Sequence, residues 1–129
     1  MNFECKKISI NDEALGCQVI FHEKADAGIY PVNMSVQEMI DSRDKYLLLQ
    51  RFYPEDEYDR DTCYMETHDQ GVCGHLKKYE MILSISKFEL VLQKEHIEIS
   101  ISPKGKEFED LKKILSILVI TEGKLVINE

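Results

Sequence analysis

The chain has 129 residues, 43% of them apolar and 31% charged, with a formal net charge of −8 and a pI near 5.0. That length suits one domain with one core over residues 1–129, and the Leu, Ile and Val content is too high for a disordered chain. The acidic balance argues against nucleic acid or an anionic membrane surface as partner.

Residues Met1 to Lys7 lack the apolar stretch of a secretory signal. The longest apolar run, Ile114 to Ile120 with Ser116 inside it, falls far short of the roughly 20 residues of a membrane helix. Four cysteines without a secretory signal read as thiols in a reducing compartment, so a cytoplasmic location is expected.

Phe3, Cys5, Ile8 and Ile10 predict an opening strand whose alternation breaks at Lys6 and Lys7. Asn11, Asp12 and Glu13 supply a turn, and Leu15 to His22 the return strand. Gly28 and Pro31 interrupt the stretch from Lys24 to Asp44. Within it, Ser35 and Glu38 have capping-box spacing, and Val36, Met39 and Ile40 share a face, which predicts a short helix over residues 36–42.

Lys45 to Tyr53 and Thr62 to His68 are expected strands, followed by a turn over Gln70 to Gly74 and a strand over Lys78 to Ser86. Phe88 to Leu92 and His96 to Ile101 predict a hairpin. Ile97, Ile99 and Ile101 face one side of it and Glu98 and Ser100 the other, and a slip of one residue would turn every isoleucine to water. Ser102 and Pro103 are expected to open the one long helix, because proline suits the first helical position. Glu107, Glu109 and Asp110 precede Lys112 and Lys113, as the helix dipole favours, and Phe108, Leu111, Ile114, Leu115 and Leu118 form an apolar stripe. After Gly123, Lys124 to Asn128 closes the chain as a strand. The expected fold is α+β, a largely antiparallel β-sheet packed by one C-terminal α-helix.

Charge is concentrated between two of these strands. From Glu55 to Asp69 there are seven carboxylates, Glu55, Asp56, Glu57, Asp59, Asp61, Glu66 and Asp69, against Arg60 alone. Such crowding is self-repulsive unless a metal ion or a basic partner relieves it. Tyr53, Tyr58 and Tyr64 interleave with the acids, as at protein interfaces, and an acidic loop on a hairpin speeds encounter with a basic partner. A solvated turn that keeps an edge from aggregating would carry the same residues.

Metal and catalytic readings have weaker spacing. Cys63, His68, Cys73 and His75 are near enough in sequence to bind zinc, but they lack a Cys-x2–4-Cys knuckle, and Cys63 and His68 point to opposite faces of an extended strand. Glu57, Asp59 and Asp61 begin like an EF-hand loop, yet Thr62 stands where glycine is needed and His68 where a bidentate Glu is needed. Cys73 beside His75 is the one candidate nucleophile, and its flanking glycines read equally as a turn. Neither a G-x-S-x-G elbow, an H-E-x-x-H pair nor a P-loop is present. These residues point to no enzyme and to no cofactor.

Tyr46 to Arg51, the acidic Glu55 to Asp59 and the series Cys63 to Gln70, in that order, resemble the immunity protein 10 family of bacterial polymorphic-toxin systems. Ile101 to Leu111 extends the resemblance into the terminal helix. Lys24 to Asp44 is longer than the family's connection before Tyr46, and Gly123 to Glu129 continues past the helix.

The resemblance implies a small non-enzymatic cytoplasmic protein that binds a cognate toxin domain and occludes its active site. The toxin is expected to be basic, as a nuclease is. Glu55, Asp56, Glu57, Asp59, Asp61, Glu66 and Asp69 would make the polar contacts, with Tyr58 as the anchor. The alternative is a small-ligand or metal-binding module with weak hydrolysis. An edge strand at either terminus could pair two copies, and the residues leave the oligomeric state open.

Overall fold

Consecutive amides at Cys5 and Lys6 bond to different sheets. Cys5 N–H donates to the Ser100 carbonyl at 2.7 Å and Lys6 N–H to that of His22 at 2.8 Å. The break in alternation at Lys6 and Lys7 is therefore a crossing point, and the expected opening strand is two, β1 (Asn2–Glu4) and β2 (Lys7–Glu13). The computed structural model describes residues 1–25, 35, 45–55, 61–69, 71–120 and 122–128. The expected helix over 36–42 lies outside them, as do Asp56, Glu57, Tyr58 and Asp59.

The remaining strands are β3 (Gly16–His22), β4 (Tyr46–Phe52), β5 (Cys63–Thr67), β6 (Gly74–His75), β7 (Tyr79–Ser84), β8 (Lys87–Val91), β9 (His96–Ser100) and β10 (Gly123–Asn128), with helix α1 (Glu107–Leu118) before the last. They form two five-stranded sheets, ordered β1-β9-β8-β7-β10 and β2-β3-β4-β5-β6. The second sheet is antiparallel throughout. In the first, β1 runs parallel to β9 and β10 parallel to β7. The fold is α+β with strands mostly antiparallel, but in two sheets rather than one, because alternation marks an apolar face without naming the strand beside it.

Two boundaries differ from the sequence expectation. Glu13 pairs with Gly16, so β2 runs through the expected Asn11–Glu13 turn and the chain reverses at Ala14 and Leu15. The helix begins at Glu107 rather than at Ser102 and Pro103, since Gly105 takes a left-handed φ of 57° that a helix cannot include. Glu107 then reaches back to accept from Lys104 N–H at 2.8 Å.

One core joins the layers. Val19, Phe21, Leu47, Leu49 and Cys63 from the second sheet meet Met81, Leu83, Phe88, Leu90, Ile97 and Ile99 from the first, all with 0% exposure. Ile97 and Ile99 point inward as the alternation requires, with Ile101 beside them. The apolar stripe of α1 buries Leu111, Ile114, Leu115 and Leu118 against β2, β3, β4 and β10. No helix among the described residues is long and apolar enough to cross a membrane.

The last turn of α1 has no basic residue of its own, so strand side chains serve its carbonyls. Arg51 Nη1 donates to the Ile117 carbonyl at 2.7 Å, and the buried Tyr79 hydroxyl lies 3.3 Å from the Leu118 carbonyl. The same hydroxyl accepts from Ile120 N–H at 3.0 Å. A Cβ on Gly123 would overlap the Tyr79 ring, which these bonds hold in place. Gly123→Ala is expected to lower stability by about 1–3 kcal/mol through overpacking, read as a lower denaturant midpoint.

Candidate binding surface

Strand alternation gives the second sheet two chemically distinct faces. Inward positions carry Leu47, Leu49, Cys63 and Met65; outward ones carry Tyr46, Leu48, Gln50, Phe52, Tyr64 and Glu66. Arg51 is an inward residue at the end of β4, where the core gives way to the loop toward β5. Its Nε and Nη2 each donate to Asp61, to Oδ1 and Oδ2 respectively, both at 2.8 Å. This two-pronged bond to Asp61 is the main reason the guanidinium pKa is raised. The guanidinium also lies 5.3 Å from the Tyr53 ring centre, and the Tyr53 hydroxyl donates to Asp12 Oδ1 at 2.6 Å. That bond to Asp12 raises the phenol's pKa above its usual value. Four segments, the ends of β2, β4 and α1 and the start of β5, are thus tied at the base of the acidic loop.

The expected contact residues fall in two places. Glu55 is exposed where the chain leaves β4 for the loop, and Asp61, at the return, has both carboxylate oxygens taken by Arg51. Glu66 lies on the outward face of β5, accepting from Tyr46 Oη at 2.9 Å and Tyr64 Oη at 3.4 Å. Asp69 is exposed beyond the far end of β5, where its Oδ1 accepts from Gly71 N–H at 3.0 Å. At about 3.3 Å per strand residue, Glu66 stands roughly 16 Å along the chain from Asp61. The acidic run therefore makes no single cluster of the described residues. Asp61 fixes the loop base, Glu66 anchors two tyrosines, and Asp69 shapes a turn that Thr67 also holds, its Oγ1 accepting from Asp69 N–H at 3.1 Å.

The Cys63, His68, Cys73 and His75 group is dispersed. Cys63 is fully buried, and burial pushes its thiol up to about 12. His68 Nδ1 accepts from Tyr46 N–H at 3.3 Å, and His75 Nδ1 is 2.9 Å from Thr62 Oγ1. Cys73 Sγ faces the carbonyls of Thr67 and Asp69 at 3.8 and 3.6 Å, so it is not paired with His75 as a nucleophile with its base would be.

Among the described residues, three metal-type donors gather only at Glu89, His96 and Glu98 on the outer face of the first sheet. Glu89 and Glu98 are directly opposite across β8 and β9. The Lys87 ammonium, 3.7 Å from Glu89 and 3.5 Å from Glu98, already offsets that like-charge pair.

Sequence reasoning missed the apolar part of the outward face. Phe52 is 62% exposed and Leu15 65%. Beside them a cavity of about 710 Å³ is lined by Gln50, Phe52, Thr62, Tyr64, His75, Leu76 and Lys77. The signal was present in the alternation: if Leu47 and Leu49 point inward, Phe52 must point out. No protein-family model, curated protein or solved structure matches this chain.

Proposed function

We propose that this chain is a non-enzymatic cytoplasmic immunity protein that captures a basic toxin domain at the β4–β5 end of its second sheet and occludes the toxin's active site. The observation that carries the reading is the anchored base of the acidic loop. Arg51 ties the loop's return at Asp61 to the C-terminal end of α1, so a carboxylate-rich segment springs from a fixed platform. Asp61 is held internally, and the sequence places Asp56, Glu57 and Asp59 in the loop before it as the charge proposed to meet the partner. The resemblance to the immunity protein 10 family suggests the class of partner, and the dispersal of Cys73 and His75 supports binding over hydrolysis.

The test is kinetic. Tagged protein is used to capture a toxin domain from the producing strain, and association is then timed by stopped flow across ionic strength. Reversing Asp56 and Asp59 to lysine is expected to slow association at least tenfold at low salt, and much less at high salt. A rate indifferent to both the substitutions and the salt would reduce the acidic loop to a solvated turn.

The cavity beside Phe52 favours a second reading, a small-ligand module, because its lining is mainly apolar with a few polar groups. That reading requires a small molecule to be retained by the purified chain without any protein partner. Native mass spectrometry of freshly isolated protein separates the two.

A further inference from the structure

We infer that the outward face of the second sheet is an anchoring cleft for a protein segment that presents one apolar side chain beside lysines or arginines. This inference rests on the partner-binding reading above and says where, and by what chemistry, the partner is held.

Two concavities adjoin on that face and share Gln50 and Phe52. The smaller, about 270 Å³, is lined by Glu13, Leu15, Gly16 and Gln18, among others. The larger, about 710 Å³, runs past Phe52 and Tyr64 to Leu76 and Lys77. Phe52 borders both. An aromatic ring more than half exposed on a sheet face, with a leucine equally exposed on the neighbouring hairpin turn, is a surface that a partner can dehydrate.

Charge decides which partner. Among the described residues, no lysine or arginine lines the smaller concavity, and Glu13 does. Asp12 pairs with the inward Cys17 and is bonded to Tyr53, so it belongs to the other face, while Glu55 is exposed three residues after Phe52 at the start of the acidic loop. The opposite wall carries Lys77 and His75. The cleft is therefore polarised, and a bound segment sets its cations toward Glu13 and its apolar side chain between Phe52, Tyr64 and Leu76. A second copy of this chain is a poor occupant, because each copy carries a net charge of −8.

The probe is a lysine–lysine–tryptophan–lysine–lysine peptide with blocked ends, titrated into the full-length ¹⁵N-labelled chain. Two control peptides replace the tryptophan by serine or the four lysines by glutamate. Saturable shifts are expected at Leu15, Gln50, Phe52 and Tyr64. Affinity should fall at least about fivefold for either control peptide and for Phe52→Ser. The exposed Phe52 makes that variant tolerable, and its own ¹⁵N spectrum verifies the fold.

Equal affinity for the tryptophan and serine peptides, with shifts confined to acidic positions, would overturn the cleft while leaving charge-driven capture intact. Equal affinity for the glutamate peptide would overturn the polarity, and the absence of shifts with any peptide would overturn the cleft outright. Failure of the partner-binding reading shows separately, as a toxin association rate that ignores salt.

Discussion

Phe88→Ala is expected to lower stability by about 3–5 kcal/mol, a large share of the roughly 5–15 kcal/mol available to a domain of this kind. Phe88 lies on β8 of the first sheet and Phe21 on β3 of the second, both at 0% exposure. Their rings stack with centroids 4.8 Å apart and planes 15° from parallel. Phe88 is in register with Leu83 and Ile99, and Phe21 with Ile8 and Leu47, so the pair sits where the two apolar faces meet. Truncation leaves a cavity walled by strands that the ladders on both sides hold in place, and such a site collapses poorly.

Chemical denaturation of the single and double alanine variants measures both the loss and the coupling. A coupling of about 0.5–1.5 kcal/mol is expected for the ring contact itself. Strictly additive losses, or amide protection in the first sheet that outlasts unfolding of the second, would show that the stack is not what joins the layers.

The sequence carried the strands and the helical stripe because both are local periodicities. Ile97 and Ile99, two residues apart, could face the core only together, and Leu111, Ile114, Leu115 and Leu118 could share a buried side only as a helix. Neighbour choice is not local. The pairing of Phe3 with Ile99 and of Leu125 with Met81 is parallel and links distant parts of the chain, and no periodicity marks it. The crossing at Cys5 and Lys6 was visible only as a broken alternation, which reads equally as a bulge.

The candidate site divides in the same way. Carboxylate density is a property of the string, so the acidic loop was legible. That Asp61 is committed to Arg51, and Glu66 to Tyr46, depends on which side chains adjacent strands bring together. The cleft was hidden for a related reason: Phe52 and Leu15 are 37 residues apart and become neighbours only once Gly16 pairs with Phe52.

Arg51→Met is expected to cost about 2–4 kcal/mol and to lower the melting temperature by on the order of 10 °C. The side chain is 19% exposed and that of Asp61 33%, so the pair is partly screened and the effect falls below that of a fully buried ion pair. The methionine fills much of the space but leaves Asp61 without its cation and the Ile117 carbonyl without its donor. Arg51→Lys restores charge without the planar fork, so it is expected to recover less than half of the loss. Asp61→Asn keeps the helix contact and should cost less than Arg51→Met. A loss under about 0.5 kcal/mol for Arg51→Met would make the bridge an ordinary solvated pair.

The functional consequence follows from where Arg51 acts. It holds Asp61, at the return of the acidic loop, to the end of α1 at Ile117, and so fixes the base from which the loop's carboxylates act. Long-range steering depends on net charge, whereas a docked complex depends on position. Arg51→Lys, which preserves charge, should leave the salt-dependent association rate near its original value while dissociation becomes faster. If instead both rates are unchanged at a temperature where the variant is folded, the loop needs no platform, and the carboxylates act as a diffuse field alone.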